Sequence, residues 1–326
     1  MPSHEDNVQV EPPTLDDVLA ARARVYAHMR PSPLLHHPLL DAWVGCTVWV
    51  KHENHNPTGA FKIRGGLNLI AQLDAAERQR GVISASTGNH GQSVALACRI
   101  HGVRCRVVVP VGNNPDKNAA MRAFGAEVVE YGRDYDEARE YVEGLAEREG
   151  WRYVHSANEP HLIAGVGTYA VEIFEAQPRV DCIFVPIGGG SGAAGCAIVA
   201  TGLGVPTRVI GVQAQGADAF ARSWRGPARV TTDRAETFAE GIATRGTFDL
   251  TFSMLKTALD DVVTLDEDEL RGGVAAAVEC THNLAEGAGA AALAAARRLG
   301  LPKEATIVCV MSGGNADRRT LLRALA

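Results

Sequence analysis

The sequence lacks the features of a membrane, secreted or nucleic-acid-binding protein. Apolar runs such as 107–111 and 287–296 are far too short to cross a bilayer. The start, 1–13, is polar and acidic and has no charged segment followed by an apolar one, so we interpret it as a loosely attached tail rather than a secretion signal. The formal net charge of −6 comes without a basic patch, which disfavours a nucleic-acid partner.

The sequence also lacks a disulfide or CxxC pattern. Its seven cysteines are odd in number, and most lie inside apolar segments such as "VALACRI" and "TIVCVMS". This usage is typical of buried thiols in a reducing compartment, so we predict a cytoplasmic protein. No cysteine is singled out as a catalytic residue.

Apolar and helical segments alternate along the chain, which predicts an α/β fold with mostly parallel sheets flanked by helices. With 326 residues, 46% of them hydrophobic, the chain can form two lobes. We predict helices from Thr14, over 65–79, over 91–101, from Asn114 and over 287–299, and strands in "TVWVK", "GVISAS", "RYVHSA", "CIFVPI" and "TIVCVM". Ligands of such sheets bind where loops leave the carboxyl ends of strands.

The first such junction is "NPTGAFKIRGG", where Lys62 follows a turn and lies between Phe61 and Ile63. A helix start and partial burial would lower the pKa of this amine. A neutral amine could then form a Schiff base with an aldehyde. The commoner alternative is a lysine whose aliphatic stem covers the start of a helix while its charge stays in water.

Three further junctions carry polar or glycine-rich loops. In "SASTGNHGQSVA", a helix start with several polar side chains could bind a carboxylate, although a simple helix cap would explain one of them. In "GGGSG", the backbone amides of 188–192 could hold a phosphate, and a dinucleotide-binding loop is the weaker alternative. In "MSGGNAD", Ser312 could hydrogen-bond a ring nitrogen or form an ordinary turn.

Together these motifs resemble the pyridoxal-phosphate enzymes of fold type II, in the threonine/serine dehydratase and serine racemase group. The resemblance runs from "RPSPLL" to "SGGNAD" and includes "VKHENHNPTGAFKIRGG", "STGNHGQ", "EPHLIAGVGT" and "GGGSG". It implies two lobes with the cofactor, pyridoxal 5′-phosphate, between them. We place the large cofactor-binding domain at 1–75 and 160–326 and the small mobile domain at 76–159.

The resemblance also implies a role for each matching residue. Lys62 corresponds to the lysine that forms the Schiff base, and it can act as the general base. Thr87 is the second candidate catalytic residue, because racemases of the group resemble "SSGNH" with a hydroxyl at this place. The other cofactor-binding positions are Phe61, Asn89, Gly188, Gly189, Gly190, Ser191, Gly192, Glu286 and Ser312. The substrate-binding positions are Ser86, Thr87, His90, Ala157 and Glu240.

The expected activity is that of an ammonia-lyase acting on a β-hydroxy amino acid. Ser312 offers a neutral hydroxyl where other enzymes offer a carboxylate, which favours prompt loss of a β-leaving group over a long-lived carbanion. The products would be a 2-keto acid and ammonia. An amino-acid racemase or β-replacement enzyme is the alternative, and a nucleotide-binding oxidoreductase based on "GGGSG" is a remote one.

Some positions depart from the family pattern. Ser156 and Ala157 stand where bulkier residues are usual, and Ala157 would leave more room beside the β-carbon of the substrate. We therefore expect a substrate larger than threonine, with Glu240 and Arg245 near the same pocket. The segment "TFAEGIATR" is reminiscent of dehydratases of hydroxyectoine breakdown. The loop "QAQGADA" supplies few acids, so we expect no divalent metal site there. The resemblance further implies a homodimer with a small-molecule amino-acid substrate and no membrane partner.

Overall fold

The computed structural model describes residues 10–326, so most of the predicted N-terminal tail lies outside the described residues. Within this range the chain forms ten strands. They are β1 (Leu34–His36), β2 (Thr47–His52), β3 (Val82–Ala85), β4 (Cys105–Val109), β5 (Glu127–Glu130), β6 (Arg152–Tyr153), β7 (Cys182–Pro186), β8 (Arg208–Ala214), β9 (Asp261–Leu265) and β10 (Thr306–Met311).

Helices separate most of these strands. They are α1 (Leu15–Tyr26), α2 (Pro38–Val44), α3 (Lys62–Ala71), α4 (Ala75–Arg80), α5 (Asn89–His101), α6 (Pro115–Ala123), α7 (Tyr135–Glu149), α8 (Pro160–Ala176), α9 (Ser191–Leu203), α10 (Ala219–Arg225), α11 (Asp249–Ala258), α12 (Glu267–Thr281), α13 (Gly287–Leu299) and α14 (Arg318–Ala324). Among residues 10–326, no helix is both long enough and apolar enough to span a bilayer.

The strands form two sheets, which confirms the predicted α/β fold with two mostly parallel sheets. The larger sheet has six strands in the order β1-β2-β10-β7-β8-β9, and the smaller has four in the order β5-β4-β3-β6. All pairings are parallel except that of β1 with β2. Strands β3 and β7 are buried along their whole length, as expected for parallel strands covered on both faces.

The smaller sheet draws all its strands from residues 82–153, and the larger sheet draws its strands from either side of that segment. The two chain crossings between the sheets therefore fall in the segments before β3 and after β6. The exact domain boundaries, 1–75 with 160–326 and 76–159, and the mobility of the smaller domain stay predictions.

Two predicted elements differ in extent from those observed. The predicted helix over 65–79 is wrong, because the chain forms α3 and then a separate α4. The cause is a capping box at Asp74. The Asp74 side chain accepts from the backbone N–H of Glu77, and the Glu77 side chain accepts from the backbone N–H of Asp74, so a new helix begins there. The predicted strand in "RYVHSA" pairs only at Arg152–Tyr153.

Helix α3 connects the two sheets, because it packs against α5 on one side and α8 on the other. A Cβ on Gly66 would lie 2.4 Å from Ser93 Oγ, so only glycine permits the approach of α3 to α5. Ser93 Oγ also donates to the backbone oxygen of Lys62 at 2.6 Å. The start of α3 is therefore fixed directly against the helix that follows the "STGNHGQ" loop.

Candidate active site

A cavity lies where loops leave the carboxyl ends of β3, β7 and β10, next to the start of α3. All but one of the residues predicted for the site line this cavity. They are Phe61, Lys62, Ser86, Thr87, Asn89, His90, Gly188, Gly189, Gly190, Ser191, Gly192, Glu240, Glu286 and Ser312. The wall also contains Lys117, Tyr135 and Ser156, which the sequence analysis did not assign to it.

Lys62 is the first residue of α3, and its amine reaches into the cavity. Its Nζ donates to Ser191 Oγ at 2.9 Å and to the backbone oxygen of Ser156 at 3.2 Å. The Phe61 ring centroid lies 5.1 Å from Nζ. Burial among these neutral groups lowers the pKa of Lys62 to about 8. This amine therefore loses its proton more easily than an exposed lysine, which favours its attack on an aldehyde.

The glycine-rich loop connects β7 to α9 and is shaped by its lack of side chains. Gly190 has a φ of +88°, in the left-handed region, and it caps the thirteen-residue helix α9. A Cβ on Gly188 would lie 2.3 Å from the backbone oxygen of Gly241. Gly190, Ser191 and Gly192, at the start of α9, line the cavity, and this end of the helix carries the positive end of its dipole, which suits a phosphate.

Asn89 begins α5 and is held in place from two sides. Its Nδ2 donates to Glu286 Oε1 at 2.5 Å, and its Oδ1 accepts from Asn315 Nδ2 at 2.8 Å. Glu286 is buried at the start of α13, and Gly313 leaves space for its carboxylate, since a Cβ there would lie 2.6 Å from Glu286 Oε1. These contacts fix the Asn89 amide at the cavity wall.

Lys117 supplies the second lysine of the cavity. Its Nζ lies 2.6 Å from Glu240 Oε2 and 3.6 Å from Glu286 Oε2. Burial opposes its charge, but the two carboxylates outweigh this effect and raise the pKa of Lys117. Lys117 lies in the first turn of α6, after the Asn114 cap, where the helix dipole disfavours a positive charge. This position in the sequence was the available signal that Lys117 needs carboxylate partners.

The loop before α5 presents hydroxyl and imidazole groups. Ser86 Oγ accepts from the backbone N–H groups of Gly88 and Gly91 at 3.0 and 2.8 Å. His90 is buried, its Nδ1 has no hydrogen-bond partner within residues 10–326, and burial together with Lys62 lowers its pKa to about 3. Thr87 is half-buried beside them. This is a neutral, donor-rich helix start suited to a carboxylate.

Ser312 follows β10 at the base of the cavity. It is buried, and its Oγ donates to the backbone oxygen of Ala288 at 3.4 Å. Its hydroxyl is therefore available to a ring nitrogen but brings no negative charge.

Ala157 and Arg245 lie elsewhere than expected. Ala157 is fully buried behind the glycine loop, where a Cβ on Gly189 would lie 3.1 Å from the Ala157 Cβ, and it does not line the cavity. Arg245 lies in a neighbouring polar cleft and contacts Asp136 at 2.9 Å and Asp134 at 3.4 Å. Of the pair predicted from "TFAEGIATR", only Glu240 reaches the cavity.

Comparison with known proteins agrees with this geometry. Residues 25–313 match the family described as "Pyridoxal-phosphate dependent enzyme". The chain belongs to this family. It is 36% identical over 304 residues to an L-threonine ammonia-lyase of Thermotoga maritima, with 93% of this chain and 76% of that protein covered. It is 33% identical over 306 residues to a serine racemase of Schizosaccharomyces pombe, with 94% and 95% covered.

A solved structure gives the same relationship. The processed form of threonine deaminase isoform 2 from Solanum lycopersicum matches with a TM-score of 0.89 and 30% identity, and the match covers 99% of this chain and 93% of that one. The predicted fold type II architecture and the threonine/serine dehydratase–serine racemase group are thereby confirmed. The chain is an enzyme of the pyridoxal-phosphate dependent family.

The residues of the cavity fit pyridoxal 5′-phosphate, the cofactor of this family. The glycine loop offers backbone amides where a side chain would collide, Lys62 offers an amine with a lowered pKa, and Ser312 offers a neutral hydroxyl. The cofactor-binding positions named from the sequence thus surround one cavity. Their individual roles stay predictions.

A metal site is a separate question. Within the described chain no group of three or more His, Cys, Asp or Glu side chains is arranged to hold a metal ion. Gln213, in the segment where acids were sought, lies near the end of β8. It is buried, and its side chain donates to the backbone oxygen of Ile187 and accepts from the N–H of Ala221.

Replacement of Gly188 by alanine is expected to weaken cofactor binding by at least about tenfold, because the new Cβ must displace the Gly241 backbone and with it the phosphate loop. The measurement is the dissociation constant of pyridoxal phosphate, from its visible absorption on titration into cofactor-free protein. Gly272→Ala is the matched control, since a Cβ there meets nothing within 4 Å. Equal affinity in both variants would contradict the assignment of the loop.

Proposed function

We propose that the enzyme removes water from a β-hydroxy amino acid to give a 2-keto acid and ammonia. The observation that carries this proposal is the combination of the Lys62 amine, whose pKa is about 8, with the neutral hydroxyl of Ser312 in the same cavity. The L-threonine ammonia-lyase of Thermotoga maritima, which is 36% identical, supports it.

Each group of cavity residues would have a separate role in this reaction. The start of α5, with Ser86 and His90, would hold the substrate carboxylate through hydroxyl and backbone donors. Lys62 Nζ would take the proton from the α-carbon as a general base. Pyridoxal phosphate, when bound, supplies an electron sink for the charge that remains at that carbon. Asn89, fixed by Glu286 and Asn315, would orient the ring.

Ser312 favours elimination over other outcomes. A carboxylate beside the ring nitrogen would stabilise a positive charge there. The Ser312 hydroxyl is neutral, and it donates a hydrogen bond to the backbone oxygen of Ala288. Charge left at the α-carbon is then stabilised less, and departure of a group from the β-carbon relieves it. Loss of the β-hydroxyl is therefore favoured over a long-lived carbanion.

Racemisation is the second candidate, and Thr87 is the observation that favours it. Thr87 lines the same cavity as Lys62, and a hydroxyl on the far side of the substrate from Lys62 could return a proton to the other face of the α-carbon. The serine racemase of Schizosaccharomyces pombe supports this alternative. The remote alternative, a nucleotide-binding oxidoreductase, gives Lys62 no role.

A screen of β-hydroxy amino acids tests the activity and the substrate size together. L-Serine, L-threonine, a phenylserine and 3-hydroxy-2,4-diaminobutyrate are incubated with the holoenzyme in D₂O, and keto acid, ammonia and α-deuteration are followed by NMR. We expect keto acid to form faster than the inverted amino acid. We also expect kcat/KM to be higher for a substrate larger than threonine, because the small Ser156 side chain lines the cavity although Ala157 does not. Inversion faster than keto-acid release would favour the racemase, and a strong preference for threonine would contradict the larger substrate.

Localisation and assembly are proposed on narrower grounds. All seven cysteines are free and six are buried, which supports a reducing compartment such as the cytoplasm. A homodimer is proposed from the family resemblance, and size-exclusion chromatography with light scattering measures it directly.

A further inference from the structure

Two hydroxyl groups stand next to each other in the cavity wall and have no role so far. Tyr135 is the first residue of α7, and Ser156 lies in the loop after β6. The Tyr135 hydroxyl and Ser156 Oγ are 2.8 Å apart, and both residues line the cavity that contains Lys62. The pair is thus placed to contact a substrate.

Ser156 lies next to both the reactive amine and the glycine loop. Lys62 Nζ donates to the backbone oxygen of Ser156 at 3.2 Å. On the other side, a Cβ on Gly189 would lie 3.8 Å from Ser156 Oγ. A substrate whose α-proton points at Lys62 Nζ has its β-carbon one bond further on. An oxygen on that carbon therefore lies close to Nζ, in the cavity that Ser156 also lines.

The direction of the hydrogen bond within the pair follows from acidity. A phenol is a stronger acid than an aliphatic alcohol, so the Tyr135 hydroxyl donates and Ser156 Oγ accepts. Burial raises the pKa of Tyr135 to about 12, so the phenol keeps its proton. Within residues 10–326, Tyr135 is the one hydrogen-bond partner of Ser156 Oγ. The Ser156 proton therefore remains available to a ligand in the cavity.

We infer that Ser156 is a catalytic residue that donates a hydrogen bond to the departing β-oxygen, and that Tyr135 is a positioning residue that orients Ser156. This inference rests on the proposed dehydratase function and names the leaving-group site within it. A preorganised donor aimed at an atom that gains negative charge lowers the barrier for its departure.

The step balances without another reactant. The α-carbon–hydrogen bond breaks and its proton goes to Lys62 Nζ, while the electron pair of that bond forms the second bond between the α- and β-carbons. The β-carbon–oxygen bond breaks with its electron pair on oxygen. The proton held on Lys62 Nζ then completes water, and Ser156 holds the oxygen near Nζ while this happens.

The inference predicts that the pair matters for a hydroxyl leaving group and little for a chloride. Chloride is a weak base that departs without a hydrogen-bond donor, whereas hydroxide does not. L-Serine and β-chloro-L-alanine differ only in this group and give the same keto acid, pyruvate. Serine is also the smallest β-hydroxy amino acid, so its size does not prevent it from entering the cavity.

The experiment compares the holoenzyme with Ser156→Ala, Tyr135→Phe and the control Tyr141→Phe on both substrates. Tyr141 belongs to the same helix but does not line the cavity. Its ring stacks on that of Tyr131, with 3.9 Å between the two ring centroids. We expect kcat/KM for serine to fall about 10²-fold in Ser156→Ala and about tenfold in Tyr135→Phe, with β-chloroalanine changed less than about threefold. Tyr141→Phe should match the unmodified enzyme.

A second readout isolates the proton-transfer step. L-Alanine has no leaving group, so the exchange of its α-proton in D₂O reports Lys62 alone, and it should be unchanged in Ser156→Ala. Equal losses on serine and β-chloroalanine, or no loss on serine, would overturn the leaving-group role. If the unmodified enzyme releases keto acid from none of the β-hydroxy amino acids of the screen, the proposed dehydratase function itself fails.

Discussion

Replacement of Lys62 by alanine is expected to lower keto-acid formation by at least about 10⁴-fold, because it removes both the cofactor attachment and the general base. The amine is held at the cavity by Ser191 and by the Ser156 backbone, and burial lowers its pKa to about 8. Visible absorption of the bound cofactor should shift at the same time. Both are measured on purified protein reconstituted with pyridoxal phosphate.

Lys303→Ala is the matched control for this change, since Lys303 is an exposed lysine in the turn before β10. It should keep full activity and absorption. Substantial elimination by Lys62→Ala, without added amine, would show that another group removes the α-proton. Lys117 would be the first residue to test in that case, because it is the other lysine at the cavity.

Replacement of Arg64 by methionine is expected to lower the free energy of unfolding by about 3–5 kcal/mol, because it leaves buried carboxylates without their cation. Arg64 is fully buried two residues after Lys62, and its guanidinium contacts Glu53 at 2.7 Å and Glu172 at 2.6 Å. Lys51 also contacts Glu172, but Glu53 would keep only neutral partners, Ser32 and Asn56. The change in the free energy of unfolding is measured by urea denaturation.

Arg22→Met is the control for Arg64, because Arg22 pairs with Glu175 at the surface, where the side chains are 34% and 52% exposed. An exposed pair contributes about 0–1 kcal/mol. Similar stabilities for the two variants would contradict the importance of the buried network. A further consequence is functional: Glu53 also bonds Asn56 at the start of the loop to Lys62, so Arg64→Met should weaken cofactor retention.

Local chemistry explains which helices could be predicted from the sequence. Thr14 and Asn114 accept hydrogen bonds from the first turns of α1 and α6, as their residue types indicate. The break between α3 and α4 depends on the reciprocal bonds of Asp74 and Glu77, which is also a local pattern but is easily hidden in a continuous polar segment. The antiparallel strand β1 has only three residues and is recognisable only from its pairing with β2.

In the site, contacts between distant segments of the chain could not be predicted from the sequence. Lys62 and the glycine loop carry local patterns, so their proximity could be expected once a parallel sheet was predicted. The Tyr135–Ser156 and Lys117–Glu240 contacts join segments 21 and 123 residues apart, and nothing local to either partner indicates the other. Ala157 was expected near the substrate because it stands where related enzymes have a bulkier residue. The cavity is lined by its neighbour Ser156 instead, since adjacent residues of an extended segment point to opposite sides.

The most direct test of the central claim is to locate the cofactor on the chain. Holoenzyme is treated with borohydride, which fixes the cofactor on its amine, and the digested protein is mapped by mass spectrometry. We predict the modification on Lys62, within a tryptic peptide that runs from His52 to Arg64 because cleavage after the modified lysine is blocked. Modification of Lys117 instead, or an unmodified Lys62 in a protein that retains activity, would contradict it.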